Sequence, residues 1–312
     1  MEEIMDIKHR TDSGFNADAI DHTTAADLAE VGSDKWTRYP GCIGAFIAEM
    51  DYGLAPCIQE AIDNACDHCK LGYIPDPWKQ RVAEACAGWQ RTHYGWNVDP
   101  SIIRVVPDVL EAYEIFLREL VGAGNSVIVP TPAYMPFLSV PKLYDVNVIE
   151  IEMLQSSDTE TGEAQWLFDF DAIERAFAAG CHAFVLCNPH NPIGKVLTLE
   201  EELRLSDLAA QYDVRIFNDE IHAPFVFEGK HIPFPTISEQ AALQSMTATS
   251  ASKSFNIPGT KCAQVLLTNP KDRDMWAVKA EWSEHQTATI GAIATTAAYN
   301  EGDPWFQDAF AY

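Results

Sequence analysis

The chain of 312 residues is short of positive charge: 21 lysines and arginines stand against 46 aspartates and glutamates, a formal net charge of −25. A surface this acidic repels phosphate backbones and anionic lipid, which argues against nucleic-acid and membrane-surface partners. The sequence also lacks any apolar run near the ~18 residues that suggest a membrane span. Residues 1–10 have no apolar stretch of the kind found in a secretory leader, so a cytoplasmic protein is expected. Internal repeats and low-complexity tracts are missing. The nine histidines show no ligand spacing, and no metal site is expected. Cys66 and Cys69 form the sole CxxC. It lies in a helical pattern with no second such pair, so the eight cysteines read as small hydrophobes of a reducing compartment.

Apolar residues make up 47% of the chain, enough for a sizeable core, and the length suits one large domain plus a smaller one. From Pro56 onward, helical and strand patterns alternate. Ile58 to Lys70 and Trp78 to Tyr94 are amphipathic, with Pro56 at a first turn and Gly95 as a stop. Residues 102–106 read as a strand, and Leu110 to Val121 as a helix ended by Gly122 and Gly124. Short β-rich runs follow at 126–129, 146–151, 183–187, 214–217, 246–249 and 263–267. Several are apolar on both faces, as in buried strands of a largely parallel sheet. Helical patterns lie between them at 132–143, 170–179 and 199–212, the last preceded by Thr198 three residues before Glu201, a capping-box spacing. The expected fold is therefore α/β, a mostly parallel sheet flanked by helices. A single long helix is expected from Asp272 towards Tyr299, bridging to a second domain, with another helix starting at Pro304.

Three polar clusters follow three consecutive strands, and open α/β sheets bind ligands at the carboxyl ends of their strands. The first is Asn188-Pro189-His190-Asn191-Pro192-Ile193-Gly194, a loop stiffened by two prolines. The second is Asn218-Asp219-Glu220-Ile221-His222, where adjacent acids closing a buried strand are costly unless they meet a cation or donors. The third is Thr249-Ser250-Ala251-Ser252-Lys253-Ser254-Phe255, a lysine among small hydroxyls. Taken singly, an Asn-Pro turn, a helix cap and an exposed loop charge explain them as well. Taken together they supply a lysine for an aldehyde, a carboxylate for a ring nitrogen, an amide for a ring oxygen and hydroxyls for a phosphate. That is a complete pyridoxal 5'-phosphate site.

In this order the motifs resemble the fold-type I pyridoxal-phosphate enzymes, the class I/II aminotransferases and their relatives. Ala48-Glu49-Met50-Asp51-Tyr52 and the histidine of the NPHNP loop resemble the C–S β-lyase subgroup, which includes the cystathionine β-lyases. The resemblance implies an aminotransferase-like fold. Residues 1–50 would begin a small domain, 51–272 would form the large cofactor-binding domain, and 273–312 an inter-domain helix and the start of an incomplete small domain.

By position, the resemblance makes Lys253 the Schiff-base lysine, Asp219 the pyridinium partner and Asn191 the donor to the ring oxygen. His222 stands where relatives often place a tyrosine serving that oxygen. Tyr134 matches a ring-stacking aromatic, and a core aromatic is an equal reading. Ser250 and Ser252 match phosphate hydroxyls, with the backbone amides of Val109 and Leu110 at a helix start. Lys261 replaces a common arginine, a point charge for a bidentate fork. Tyr73 resembles a tyrosine given to a neighbouring subunit's phosphate, which implies a homodimer with shared sites. The family's carboxylate-binding arginine falls beyond Tyr312, so the chain reads as C-terminally truncated.

The implied reaction is β-elimination from a sulfur amino acid, with Lys253 as general base and pyruvate, ammonia and a thiol as products. Two alternatives remain open on the same residues. One is an aminotransferase, distinguished by a need for added 2-oxoglutarate. The other is a non-catalytic regulatory protein of the same fold, distinguished by a specific protein partner.

Overall fold

The computed structural model describes residues 13–157 and 164–312; residues 1–10, read above for a leader, lie outside them. The N-terminal part is made of short helices: α1 (Ala17–His22), α2 (Ala25–Val31) and α3 (Asp34–Thr37). Then come α4 (Pro56–Asp67) and α5 (Asp76–Tyr94), each with proline in its first turn. Gly95 closes α5 at φ +70, a left-handed conformation that glycine adopts without a Cβ penalty.

The sheet is built from β1 (Ile103–Val106), β2 (Ser126–Thr131), β3 (Asn147–Glu152), β6 (Ala183–Cys187), β7 (Arg215–Asp219), β8 (Ser245–Thr249) and β9 (Ala263–Leu266). A separate hairpin pairs β4 (Leu154–Ser157) with β5 (Ala164–Leu167) and was not legible in the sequence. Strand order in the large sheet is β1-β9-β8-β7-β6-β2-β3. Its ladders are parallel except those of β9, which runs against both β1 and β8. The run at 263–267 is thus a strand, but an antiparallel one.

Burial explains the doubly apolar runs. Along β6, Ala183, Val185 and Cys187 enter one core with Phe116 and Phe217. The alternating Phe184 and Leu186 enter another with Ile173 and Leu205. The period of two therefore sends successive side chains to opposite, equally covered faces. A fully buried phenylalanine such as Phe184 contributes roughly 1.5–3 kcal/mol.

The first face is covered by α6 (Val109–Phe116), extended by one π turn over Leu117–Val121, and by α7 (Met135–Ser139). The second is covered by α8 (Phe170–Ala178), α9 (Leu199–Gln211) and α10 (Glu239–Gln244). The Thr198–Glu201 capping box forms at the start of α9.

The expected long helix after Pro270 is three pieces: α11 (Pro270–Lys279), a 3-10 segment (Glu281–Gln286) and α12 (Thr289–Glu301). The break lets Glu284 turn inward, where Trp276 Nε1 donates to it at 2.9 Å and Lys79 pairs with it at 3.1 Å. A last helix, α13 (Asp303–Ala311), follows. Helices α5, α12 and α13 share a third apolar cluster around Trp89, Phe255, Ala294 and Phe306. Among the described residues, no helix is long and apolar enough to cross a membrane.

Gly291 is where α12 meets the loop at Thr260. A Cβ there would lie 2.0 Å from the Thr260 carbonyl oxygen. Backbone cannot yield as a flexible side chain can, so Gly291→Ala is expected to destabilise by about 1–3 kcal/mol in urea unfolding.

Candidate active site

The three polar clusters emerge side by side at the carboxyl ends of β6, β7 and β8. Backbone ladders hold their starts together. Asn188 N donates to the Asp219 carbonyl at 3.0 Å, and Glu220 N donates to the Ala248 carbonyl at 2.9 Å. Adjacent parallel strands thus place residues far apart in sequence on one rim.

Lys253 lies half-buried in the turn after β8. Among the described residues its amine makes no hydrogen bond or ion pair, and burial pulls its pKa below the ordinary lysine value. Glu49 and Asp219 lie within electrostatic reach and oppose that shift. Asp219 ends β7 and is 5% exposed. Burial pushes its carboxyl up to about 7, although Ile221 N donates to Oδ1 at 3.0 Å and Lys253 favours the charge. Its other oxygen has no partner among the described residues. A buried acid in this state awaits a cationic donor.

His222 follows three residues on. Burial, aided by the nearby Lys253 charge, lowers its imidazole to about 4, so it is neutral at physiological pH. Tyr134 precedes α7, is 37% exposed, and meets Phe137 edge-on at 5.6 Å. Burial and the charges of Asp219 and Asp108 raise its phenol, which puts all three groups near one another.

The NPHNP loop divides its work. Asn188 is structural: its amide donates to Glu202 at 2.8 Å and its oxygen accepts from Leu197 N at 3.0 Å. His190 Nε2 donates to the Pro132 carbonyl at 2.8 Å, tying this loop to the segment that carries Tyr134. Asn191 is part-exposed at the loop tip, and its amide makes no bond among the described residues.

A second group gathers at the start of α6. Asp108 caps that helix through Glu111 N at 2.9 Å and pairs with Lys261 Nζ at 2.6 Å. The amides of Val109 and Leu110 open the helix with no intrahelical acceptor, at its positive end. Ser250 Oγ donates to the Cys262 carbonyl at 2.9 Å and accepts from Ser252 N at 3.0 Å, so its only proton is engaged within the loop. The Ser252 hydroxyl makes no bond among the described residues. Tyr73 stands apart from all of these. It is 94% exposed in the turn between α4 and α5 and makes no hydrogen bond with these groups among the described residues.

Three neighbours of the site escaped the sequence reading. Glu49 was noted as part of a motif but not as a charge beside Lys253. Asp108 carried the signal of a helix cap, an acid three residues before Glu111. Asn256, at φ +56, holds the Glu49 segment in place. Its Nδ2 donates to the Met50 carbonyl at 2.8 Å, and its Oδ1 accepts from Met50 N at 3.0 Å. Asn256→Ala is expected to cost roughly 2 kcal/mol in urea unfolding, from both lost bonds and an alanine at positive φ. Asn256→Gly, which relieves only the second cost, should be less affected.

A hollow of about 700 Å³ beside α9 among Glu174, Arg204 and Gln211 shares no residue with this rim. It is an open surface hollow, whereas the rim gathers an unpaired amine, an unsatisfied buried acid and free helix-start amides. Convergent chemistry outweighs size in locating the site.

Comparison with known proteins agrees with this geometry. The profile of the family Aminotransferase class I and II matches residues 48–303. A cystathionine beta-lyase of Corynebacterium glutamicum is 35% identical over 276 residues, covering 88% of this chain and 71% of that protein. A crystal structure of a putative pyridoxal-phosphate-dependent beta-cystathionase from Corynebacterium diphtheriae superposes with a TM-score of 0.85 at 35% identity, covering 93% of this chain and 74% of that one. Cystalysin from Treponema denticola, whose crystal structure contains pyridoxal 5'-phosphate, gives a TM-score of 0.83 at 26% identity, covering 92% and 74%. The match spans most of the chain and includes the whole rim, and on that ground the chain belongs to the class I and II aminotransferase family.

Proposed function

We propose that the protein is a pyridoxal-phosphate-dependent carbon–sulfur lyase, acting on cystathionine or cysteine S-conjugates to give pyruvate, ammonia and a thiol. The observation that carries this reading is the unpaired, half-buried amine of Lys253 within electrostatic reach of the unsatisfied Asp219. The relatives named for this activity support it.

The residues present fit the cofactor. Asp219, buried and with one carboxyl oxygen making no hydrogen bond among the described residues, would suit a protonated ring nitrogen. In this reading Asn191 and the neutral His222 would serve a ring oxygen, and Tyr134 a ring face. The amides of Val109 and Leu110, with Ser252 and with Lys261 beside Asp108, would hold the phosphate. Ser250 would serve that site by bracing Ser252 rather than by giving its own proton. When bound, pyridoxal phosphate supplies an aldehyde for the substrate amine and an electron sink for charge at Cα.

The chain's own contribution is proton handling and orientation. The lowered pKa of Lys253 favours the neutral amine that can take the Cα proton. Asp219, once paired, holds its charge against the ring nitrogen. His190 and Asn188 keep the loop of Asn191 rigid.

Residues 51–272 form the cofactor-binding domain in this reading, with 1–50 and 273–312 belonging to a smaller one. Exposed Tyr73 supports a homodimer in which each subunit lends this phenol to the other's phosphate. Eight unpaired cysteines support a reducing, cytoplasmic setting. The test is pyruvate release from L-cystathionine by the purified chain with added pyridoxal phosphate. Turnover that depends on 2-oxoglutarate and yields no pyruvate would establish an aminotransferase instead.

A further inference from the structure

A buried polar cluster joins α9 to the ends of β6 and β7, next to the loops of Asn191 and Asp219. Glu202 on α9 is 0% exposed, and its Oε1 accepts the 2.8 Å bond from Asn188. At the end of β7, Asn218 Nδ2 donates to Glu220 Oε1 at 2.7 Å, and Phe234 N donates to the same oxygen at 2.9 Å. Glu220 Oε2 lies 3.4 Å from His231 Nε2, and Tyr94 meets the His231 ring edge-on at 5.3 Å.

The hydrogen-bond count in this cluster does not close. Glu202 Oε2, Glu220 Oε2 and Asn218 Oδ1 are all buried without a hydrogen-bond partner, as are both ring nitrogens of His231. The three oxygens are acceptors and cannot pair with one another; a proton on His231 Nε2 serves Glu220 Oε2 and leaves Glu202 Oε2 without a donor. One added proton turns an acceptor into a donor. Among the described residues no cation is paired with Glu202. Glu201, its neighbour on α9, already engages Lys195 at 2.8 Å, and Glu220 adds a like charge. Burial first, and Glu220 second, push the Glu202 carboxyl up to about 9.

We propose that Glu202 is a positioning residue that stays a neutral carboxylic acid at physiological pH, its proton supplying the missing donor and tying the 188–191 loop to the end of β7. The separation of Asn191 from Asp219 is then set from behind, by a side chain that touches neither ligand nor reacting atoms. The cofactor role of those two residues rests on the proposed function; the proton on Glu202 does not.

Urea unfolding of the full chain and of Glu202→Gln across pH 6–10 decides the protonation. A folded value of about 9 lies above the unfolded value of 4.5, so the wild type loses stability as pH rises between them, whereas glutamine does not titrate. The ratio of folding constants, variant over wild type, should therefore grow by up to tenfold per pH unit to about pH 9 and then level. A ratio constant across that range would mean an ionised Glu202 and overturn the proposal. Pyridoxal phosphate titration by absorbance decides the positioning. Glu202→Gln should keep the wild-type dissociation constant at pH 7.5, while folded Glu202→Leu should weaken it about tenfold, the cost of one lost buried bond. Equal affinity in folded Glu202→Leu would remove the positioning role. A wild-type chain that takes up no pyridoxal phosphate would overturn that role and the proposed function together, yet leave the pH result standing.

Discussion

Alanine in place of Lys253 is expected to leave a folded chain with no cofactor-linked absorption near the visible edge. Pyruvate release from L-cystathionine should fall about 10⁴-fold, the upper range for loss of a positioned proton carrier. Folding should survive because the amine makes no hydrogen bond or ion pair among the described residues. On the proposed reading, what is lost is a covalent anchor and a base in one atom. The measurement is an absorbance spectrum with added pyridoxal phosphate, followed by the pyruvate assay. A band that persists in the variant would place the cofactor on another lysine and overturn the assignment.

Asparagine in place of Asp219 should separate stability from catalysis. Burial pushes this carboxyl up to about 7, above its unfolded value of 3.8. A raised folded pKa means that stability is fully present below pH 3.8 and is lost as pH rises towards 7. At pH 8 Asp219 therefore carries a buried charge that Lys253 offsets only in part. Asp219→Asn is isosteric and neutral, so it should stabilise the ligand-free chain by on the order of 3 kcal/mol at pH 8 and scarcely at pH 4. In turnover the same change should cost about 10²–10³-fold, the scale for removing one preorganised electrostatic partner. Cofactor affinity of the wild type should weaken below pH 7, because the acid must shed its proton to meet a cationic ring, and the variant should lose that dependence. A variant less stable than wild type at pH 8 would show that Asp219 is already satisfied inside the protein.

Both effects come from one arrangement. The strand ends bring together an amine and an acid that burial makes uncomfortable when apart, and a cationic ring between them would relieve the acid.

Much of this was legible along the chain. The doubly apolar runs at 183–187 and 214–217 announced buried parallel strands, because both faces of such a strand meet a core. Pro56, Gly95 and Thr198 announced helix ends, because each satisfies a local backbone requirement. Lys253, Asp219 and Asn191 come onto one rim because each lies at or just past the end of a strand, and neighbouring strand ends converge whatever lies between them in sequence.

Other features depended on partners distant in sequence. The direction of β9 and the break before α12 follow from what packs beside them, such as Glu284 turning in to meet Trp276 and Lys79. Ser250 matched a phosphate hydroxyl by motif, yet its proton goes to Cys262, twelve residues away. Asn256 reaches back 206 positions to hold the segment of Glu49. The sequence by itself thus determined most of the elements, the order of the rim and the candidate residues on it, since these follow from local periodicity and from position at strand ends. Only the tertiary structure decided which of those polar atoms are already satisfied and which buried acids lack a partner, because burial and hydrogen-bond saturation belong to the packed chain as a whole.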